Sequence, residues 1–359
     1  ADMDNDGDMD IVSASYTDDT IAWYENNGAA NPSWSASNIA TNVDGAIDIH
    51  VTDMDNDGDL DIVSVSDNDE IIAWFENDGA KDPSWSKSTI DTRDDEWPSA
   101  VYTGDMDNDG DMDIVVASYN DDTISWYEND GASDPSWSYE SIATSADGAY
   151  DVFVVDMDND GDLDIISAAR IDDTIALYTN DGASDPSWSA TDITNSADGA
   201  TSVFAADMDN DGDIDILSAS KDDDTIAWYE NSGGPFWSAS TITTSADYAE
   251  FVFAADMDND GDLDIISASA NDDTIAWYEN DGASDPSWSA TDIATSADYP
   301  TAIFVADMDN DGDMDVISAS WNDDTIAWYE NTAIPEFSNI LMPIASVLAI
   351  VGLNYRRRH

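Results

Sequence analysis

The chain of 359 residues carries 81 acidic and 8 basic side chains, a formal charge of −73, and no cysteine. That charge repels nucleic acid and anionic membrane surfaces from the body of the chain, and the missing cysteines exclude disulfides, thiolate metal sites and cysteine nucleophiles. With 14 Trp, 14 Tyr and 8 Phe it holds far more core-forming material than a solvating acidic tail, so it is expected to fold, with cations as its natural ligands.

The first element is an acidic loop. Residues 2–10 read DMDNDGDMD, and nearly the same nine residues return at 53, 105, 156, 207, 256 and 307, at intervals of 49 to 52. Carboxylates packed this densely repel one another by about 1 kcal/mol per close pair even in water. The pattern D-x-D-x-D-G-x-x-D has the oxygen spacing of a calcium loop: side chains at positions 1, 3 and 5 face one centre, glycine at 6 permits the turn, position 7 offers its carbonyl, and position 9 adds a carboxylate. The expected ligands are Asp2, Asp4, Asp6 and Asp10 with the carbonyl of Asp8, then Asp53, Asp55, Asp57, Asp59 and Asp61 in the same roles. They continue as Asp105, Asp107, Asp109, Asp111 and Asp113; as Asp156, Asp158, Asp160, Asp162 and Asp164; and as Asp207, Asp209, Asp211, Asp213 and Asp215. Asp256, Asp258, Asp260, Asp262 and Asp264, with Asp307, Asp309, Asp311, Asp313 and Asp315, complete the set. About seven Ca²⁺ ions are therefore expected, one per loop. An EF-hand is a poor match, because its position 12 is Glu where this chain has Ser13 and Ser64.

Each loop is followed by the same short segments: DIVSAS (10–15), TIAWYEN (20–26), a turn such as NDGASDPSW (129–137), WSATDI (288–293) and an apolar run such as SVFAAD (202–207). All are strand-length, rich in β-branched, aromatic or small residues, and bounded by Gly, Pro, Asn or Asp. Four short antiparallel strands in about 51 residues make one β-propeller blade, and seven copies predict a seven-bladed, all-β propeller over residues 1–331. With strands lettered A (before the acidic loop), B, C and D, the first copy has no A and the last no D. At least one N-terminal strand is therefore expected to be missing, with a further blade an alternative, and if no whole blade is lost the ring is expected to close by strand exchange. Trp23, Trp74, Trp126, Trp228, Trp277 and Trp328 repeat in strand C, with Leu177 in the fourth copy, and read as core. The Trp34, Trp85, Trp137, Trp188, Trp237 and Trp288 series reads as a cap on the C–D turn.

The copies differ mainly on the rim opposite the acidic loops. One B–C position reads Tyr16, Asp67, Tyr119, Arg170, Lys221, Ala270 and Trp321, and one D–A position reads Gly45, Trp97, Gly148, Gly199, Tyr248 and Tyr299. On a repeated scaffold, uneven loops are where specific contacts are expected. Tyr16, Trp97, Tyr119, Arg170, Lys221, Tyr248, Tyr299 and Trp321 are thus the candidate ligand-binding residues, suited to carbohydrate or a protein partner. Only His50 lies in the body, which leaves no material for a histidine triad, so no enzymatic activity is expected.

The loops DMDNDGDMD, DMDNDGDLD and DMDNDGDID, followed by DIISAS and TIAWYEN, make the chain resemble the FG-GAP and VCBS-type repeat family, the calcium-loop propellers related to the integrin α-subunit head. The resemblance implies calcium in the A–B hairpins of one face and partner docking on the other.

After Asn331 the composition changes. Residues 332–337 form a linker ending in Pro335, Glu336 and Phe337; 338–355 are 18 residues without charge; 356–359 read RRRH. At 1.5 Å per residue the uncharged stretch spans about 27 Å as a helix, enough to cross a bilayer, with the basic tail cytoplasmic. The order of motif, apolar helix and basic cluster resembles PEF-type sorting signals, which implies a sortase-like processing enzyme and an archaeal source. The sequence thus reads as a cell-surface, calcium-stabilised binding or adhesion propeller, anchored C-terminally, with an extracellular carbohydrate or protein ligand. A structural envelope component is the alternative, and an extracellular polysaccharide hydrolase or lyase a more distant one.

Overall fold

The computed structural model describes residues 1–92, 96–132, 135–233 and 236–332. Strands form where β-branched, aromatic and small residues run between Asp, Asn and Gly turns. The first sheet holds β1 (Ile11–Ser15), β2 (Thr20–Asn26) and β3 (Trp34–Ala40). The second holds β4 (Ala46–Thr52), β5 (Asp61–Ser66), β6 (Ile71–Asn77) and β7 (Trp85–Thr92), paired antiparallel in chain order. Residues 98–143 (β8–β11), 149–194 (β12–β15), 200–243 (β16–β19) and 249–294 (β20–β23) repeat that four-stranded sheet. The last sheet holds β24 (Pro300–Ala306), β25 (Asp315–Ser320) and β26 (Thr325–Tyr329). These seven sheets are the blades of a seven-bladed, all-β propeller.

Burial explains the strand sequences. B strands such as β5 and β9 (Asp113–Ser118) are buried at every residue, because both faces pack on neighbouring blades. Their side chains are therefore almost continuously apolar or small. D strands such as β15 (Trp188–Thr194) form the outer edge and are mostly exposed. A strands line the axis. A bulge near their start, between Ala149 and Asp151 or Ala200 and Ser202, is repeated blade after blade. The strand C tryptophans are core as expected: Trp23, Trp74, Trp126 and Trp228 are buried, and so is Leu177. The tryptophans opening strand D do more than cap a turn. Trp34 packs on Ala306, Met308 and Ile317 of the seventh blade, and Trp85 on the first-blade cluster around Met3 and Trp23.

The ring closes through the asparagine contacts that recur between most blades, without strand exchange among the described residues. In six of the seven blades the asparagine ending strand C bridges its own acidic loop and that of the preceding blade: Asn77 donates to Leu60 O (3.1 Å) and Met3 O (3.0 Å). At the closure, Asn26 donates to Met9 O (2.9 Å) and Met308 O (2.8 Å). Around the axis, the fifth residue of each A strand builds a ladder of rings: His50, Tyr102, Phe153, Phe204, Phe253 and Phe304, with successive centroids 4.2–5.6 Å apart. His50 also meets Thr103 Oγ1 at 2.8 Å, and burial lowers its pKa to about 4, so the one histidine of the body is packing material.

The expected sorting motif at Pro335, Glu336 and Phe337, the apolar stretch 338–355 and the basic tail 356–359 lie outside the described residues. Among the described residues no helix is long and apolar enough to cross a membrane.

Candidate functional site

Six of the acidic loops are A–B hairpins, the first leads directly into β1, and all seven share one geometry. In the first, the Asp6 and Gly7 amides donate to Asp2 Oδ1 and Oδ2 (both 3.0 Å), and the Asp8 amide donates to Asp6 Oδ1 (3.1 Å). These bonds curl the chain so that carboxylate oxygens of Asp2, Asp4 and Asp6 lie within 4.8 Å of one another; Asp53, Asp55 and Asp57, then Asp105, Asp107 and Asp109, do the same. Asp4 Oδ2, Asp55 Oδ1 and Asp105 Oδ1 are buried and receive no hydrogen bond. A buried carboxylate oxygen without a donor, facing two further carboxylates, is an arrangement that a hard cation completes. The third-position pKa is accordingly raised in all seven loops, first by burial and then by the fifth-position charge: Asp4, Asp55, Asp107, Asp158, Asp209, Asp258 and Asp309. The residues present fit a divalent ion held by oxygen ligands.

Positions 9 and 7 have structural work as well. Asp10 Oδ1 accepts from the Asn26 amide (2.7 Å) and Oδ2 from the Met3 amide (3.1 Å), which ties the loop to the end of strand C. Burial pushes the equivalent Asp61 to about 7 and Asp113 to about 8. In the fifth loop the ninth-position Asp215 still belongs to the cluster with Asp207 and Asp209. The seventh-position side chain serves the blade seam. Asn5 donates to Asp59 (2.9 Å), Asn108 to Asp162 (2.6 Å) and Asn310 across the closure to Asp8 (3.0 Å). Asp8 also lies over Gly28, where a Cβ would fall 2.0 Å from its Oδ2; this packing explains the glycine of the C–D turn.

On the opposite face the uneven B–C and D–A positions are hydrogen-bonded neighbours: the Tyr119 amide donates to Trp97 O (2.9 Å), Lys221 to Gly199 O (3.1 Å) and Trp321 to Tyr299 O (2.9 Å). The D–A residue has positive φ throughout. Glycine fills it at Gly45, Gly148 and Gly199 (φ 69–71°), but Trp97 (48°), Tyr248 (64°) and Tyr299 (59°) hold it against the steric preference of an L-residue. Their rings gather. Trp97 packs on Tyr119 (4.9 Å), Tyr119 on Tyr150 (6.2 Å), and Arg170 lies over the Tyr150 ring (5.2 Å). Lys221 donates to the Tyr248 hydroxyl (3.0 Å) and sits 4.8 Å from its ring, and Tyr248 packs on Tyr299 (5.9 Å). Tyr16 and Trp321 pair at 5.3 Å across the closure. Seven of the eight candidate residues therefore contact another ring or cation of that set, and Arg170 joins them through Tyr150.

Two residues of this mouth escaped sequence reasoning. Tyr150 and Glu250 are the second residues of their A strands, inside the bulge. The copies there read Ile47, Ser99, Tyr150, Thr201, Glu250 and Thr301, and that variation within an otherwise repeated strand was the available signal. Burial raises the Glu250 carboxyl to about 7 despite the pull of Arg170. Burial raises the Tyr150 hydroxyl as well, with the Glu250 charge adding to it.

Sequence comparison places the loops and strands together. The FG-GAP-like repeat model matches residues 2–64, 53–116, 105–167, 156–218, 207–267 and 256–318. The chain belongs to the FG-GAP-like repeat family. No curated protein matches it. Among solved structures, this FG-GAP-like propeller is similar to an Agrocybe aegerita lectin that recognises non-reducing terminal N-acetylglucosamine (17% identity, 91% of each chain, TM-score 0.60). It is also similar to a Lactobacillus plantarum protein (14%, 92% of this chain and 97% of that one, 0.62) and a candidate 6-phosphogluconolactonase of Bacteroides fragilis (13%, 90% of each, 0.63). At these identities the likeness shows the fold alone.

Proposed function

We propose that this FG-GAP-like propeller is a calcium-stabilised binding protein that captures carbohydrate at the axial mouth opposite its acidic loops. The observation that carries the reading is the left-handed backbone at Trp97, Tyr248 and Tyr299. Three blades use glycine there, while three accept strain to present an aromatic ring, and such strain is kept where the side chain has a use. Aromatic faces beside hydroxyl and charged groups suit a sugar, whose C–H faces stack and whose hydroxyls bond. The lectin likeness is consistent with a sugar ligand on this scaffold.

Calcium belongs to the same proposal. Bound in the loops, it would neutralise the third- and fifth-position carboxylates and stiffen each hairpin; seven ions would bring the formal charge from −73 to about −59. Such sites fill where calcium is abundant, which favours a location at the cell surface. A glycan array probed with the chain in calcium buffer tests the reading. Capture of a defined glycan set that is lost in Trp97→Ala and Tyr248→Ala supports it; capture unchanged by both overturns the mouth as the site.

A further inference from the structure

The mouth holds two cations, one of them buried. With ten times more acids than bases, any lysine or arginine has carboxylates in easy reach. Arg170 and Lys221, at the same B–C position of adjacent blades, make no ion pair within 4.0 Å among the described residues, and neither do Lys81 and Lys87; what sets Lys221 apart is its burial. Lys221 is only 4% exposed, and the Tyr248 hydroxyl is its one side-chain hydrogen-bond partner. A buried cation left without an anion is costly. Glu250 is a weak anion for the role: it lies close enough for Arg170 to act on it electrostatically, but burial raises its pKa to about 7.

Resting on the carbohydrate reading above, we infer that the mouth selects saccharides bearing a carboxylate, as in uronic acids, with Arg170 and Lys221 holding the acid and Trp97, Tyr119, Tyr248 and Tyr299 taking the sugar faces. The guanidinium fork matches a carboxylate in two parallel hydrogen bonds, and the ammonium adds a point charge in a poorly solvated setting. The tyrosine and tryptophan rings keep both cations oriented before the ligand arrives. The overall negative charge of the protein repels an acidic ligand at long range, so recognition must come from contact. Moderate salt, which screens beyond about 10 Å and leaves buried pairs largely intact, should then improve binding. Simple ionic capture by a basic surface has the opposite salt dependence.

Calorimetry with the whole chain in calcium buffer decides it, using oligogalacturonate and the same oligosaccharide with its carboxyls reduced to alcohols. The expected result is affinity for the acid at least about tenfold above that for the reduced form. Lys221→Met and Arg170→Gln should erase that preference, cutting affinity for the acid at least about tenfold and that for the reduced form by much less; melting temperatures confirm that both variants fold. Equal binding of the two oligosaccharides overturns carboxylate selection and leaves carbohydrate binding standing. A preference for the acid that survives both substitutions but vanishes with chelator overturns it too, because calcium would then bridge ligand and protein elsewhere. Binding of neither compound, nor of any glycan on the array, removes the carbohydrate reading and this inference with it.

Discussion

Single residues on this scaffold are legible because each has five or six counterparts at the same blade position. Where Gly45, Gly148 and Gly199 sit at φ near 70°, Trp97, Tyr248 and Tyr299 adopt the same left-handed backbone, which costs an L-residue about 1–2 kcal/mol. Trp97→Ala and Trp97→Gly lose the same ring, but only glycine relieves the backbone. The glycine variant should therefore be the more stable by about 1 kcal/mol in urea denaturation, the reverse of the usual order within regular structure. An alanine variant at least as stable as the glycine one would mean that the position stores no strain. Asp151 offers a second residue-scale prediction. Its Oδ2 accepts from the Val203 amide of the next blade (2.9 Å), and burial, with Asp48 adding a smaller push, raises its pKa from 3.8 to about 7. Between those values the folded chain keeps a proton that the unfolded chain releases, so stability falls as pH rises through the window. Each such proton is worth up to about 1.4 kcal/mol per pH unit. Asp151→Asn keeps an acceptor for Val203 and removes that share. Denaturation midpoints from pH 4 to 8 should fall less steeply in the variant and cross those of the parent by pH 8; parallel profiles would show that Asp151 ionises in the folded chain as it does in water.

Elements differ in how much of them the sequence discloses. Strand C was readable to the residue: Thr20–Asn26 alternates β-branched, aromatic and small residues between Asp and Gly turns, and the observed strand has the same bounds. Strand A was read as starting at Ser202, but it begins at Ala200, because the bulge between Ala200 and Ser202 breaks the alternation that marks a strand. The same bulge hid Tyr150 and Glu250, whose direction depends on a local slip in register. The acidic loops were legible as carboxylate clusters because their spacing is local. The seam role of Asp8 was not, since its partner Asn310 is about 300 residues away in sequence. The axial ladder was likewise out of reach: His50 and Phe204 share a strand position, but their contact with neighbours arises only when A strands are arranged around an axis. The ladder predicts a graded response. Phe204 is 4% exposed, between Phe153 and Phe253, whereas Phe304 ends the row at 44%. Phe204→Ala should cost about 3–5 kcal/mol, and Phe304→Ala about 1 kcal/mol, because only part of its ring is removed from water. Equal losses in equilibrium unfolding would mean that the ladder does not pack as a unit.

At the scale of the whole molecule, the acidic loops form one continuous ring. Seven clusters lie side by side on one face, each joined to the next by an asparagine side chain: six of these donate to the next seventh-position carboxylate, and Asn159 donates to Gly212 O. The same linkage that closes the propeller therefore brings its negative charges together, and the fold carries that repulsion unless cations occupy the loops. A bound ion adds about 2.7 kcal/mol per site when its concentration is a hundred times its Kd, so chelation should lower the melting temperature by many degrees and calcium should restore it. Magnesium should restore less, since it demands stricter octahedral geometry than these carboxylate loops offer. The positions within a loop can be told apart. Asp4 holds a buried oxygen with no donor, and Asp4→Asn should remove one ion from the calcium stoichiometry measured by calorimetry. Asp8 uses its side chain at the seam with Asn310, and its expected contribution to the ion is its carbonyl. Asp8→Ala, which removes the acceptor that asparagine would keep, should therefore leave the stoichiometry at about seven while loosening the first and last blades, seen as faster amide exchange at the closure. If the two substitutions affect calcium alike, the division between ion-holding and seam-holding carboxylates is wrong; if chelation leaves melting unchanged, the loops hold the ring together without metal.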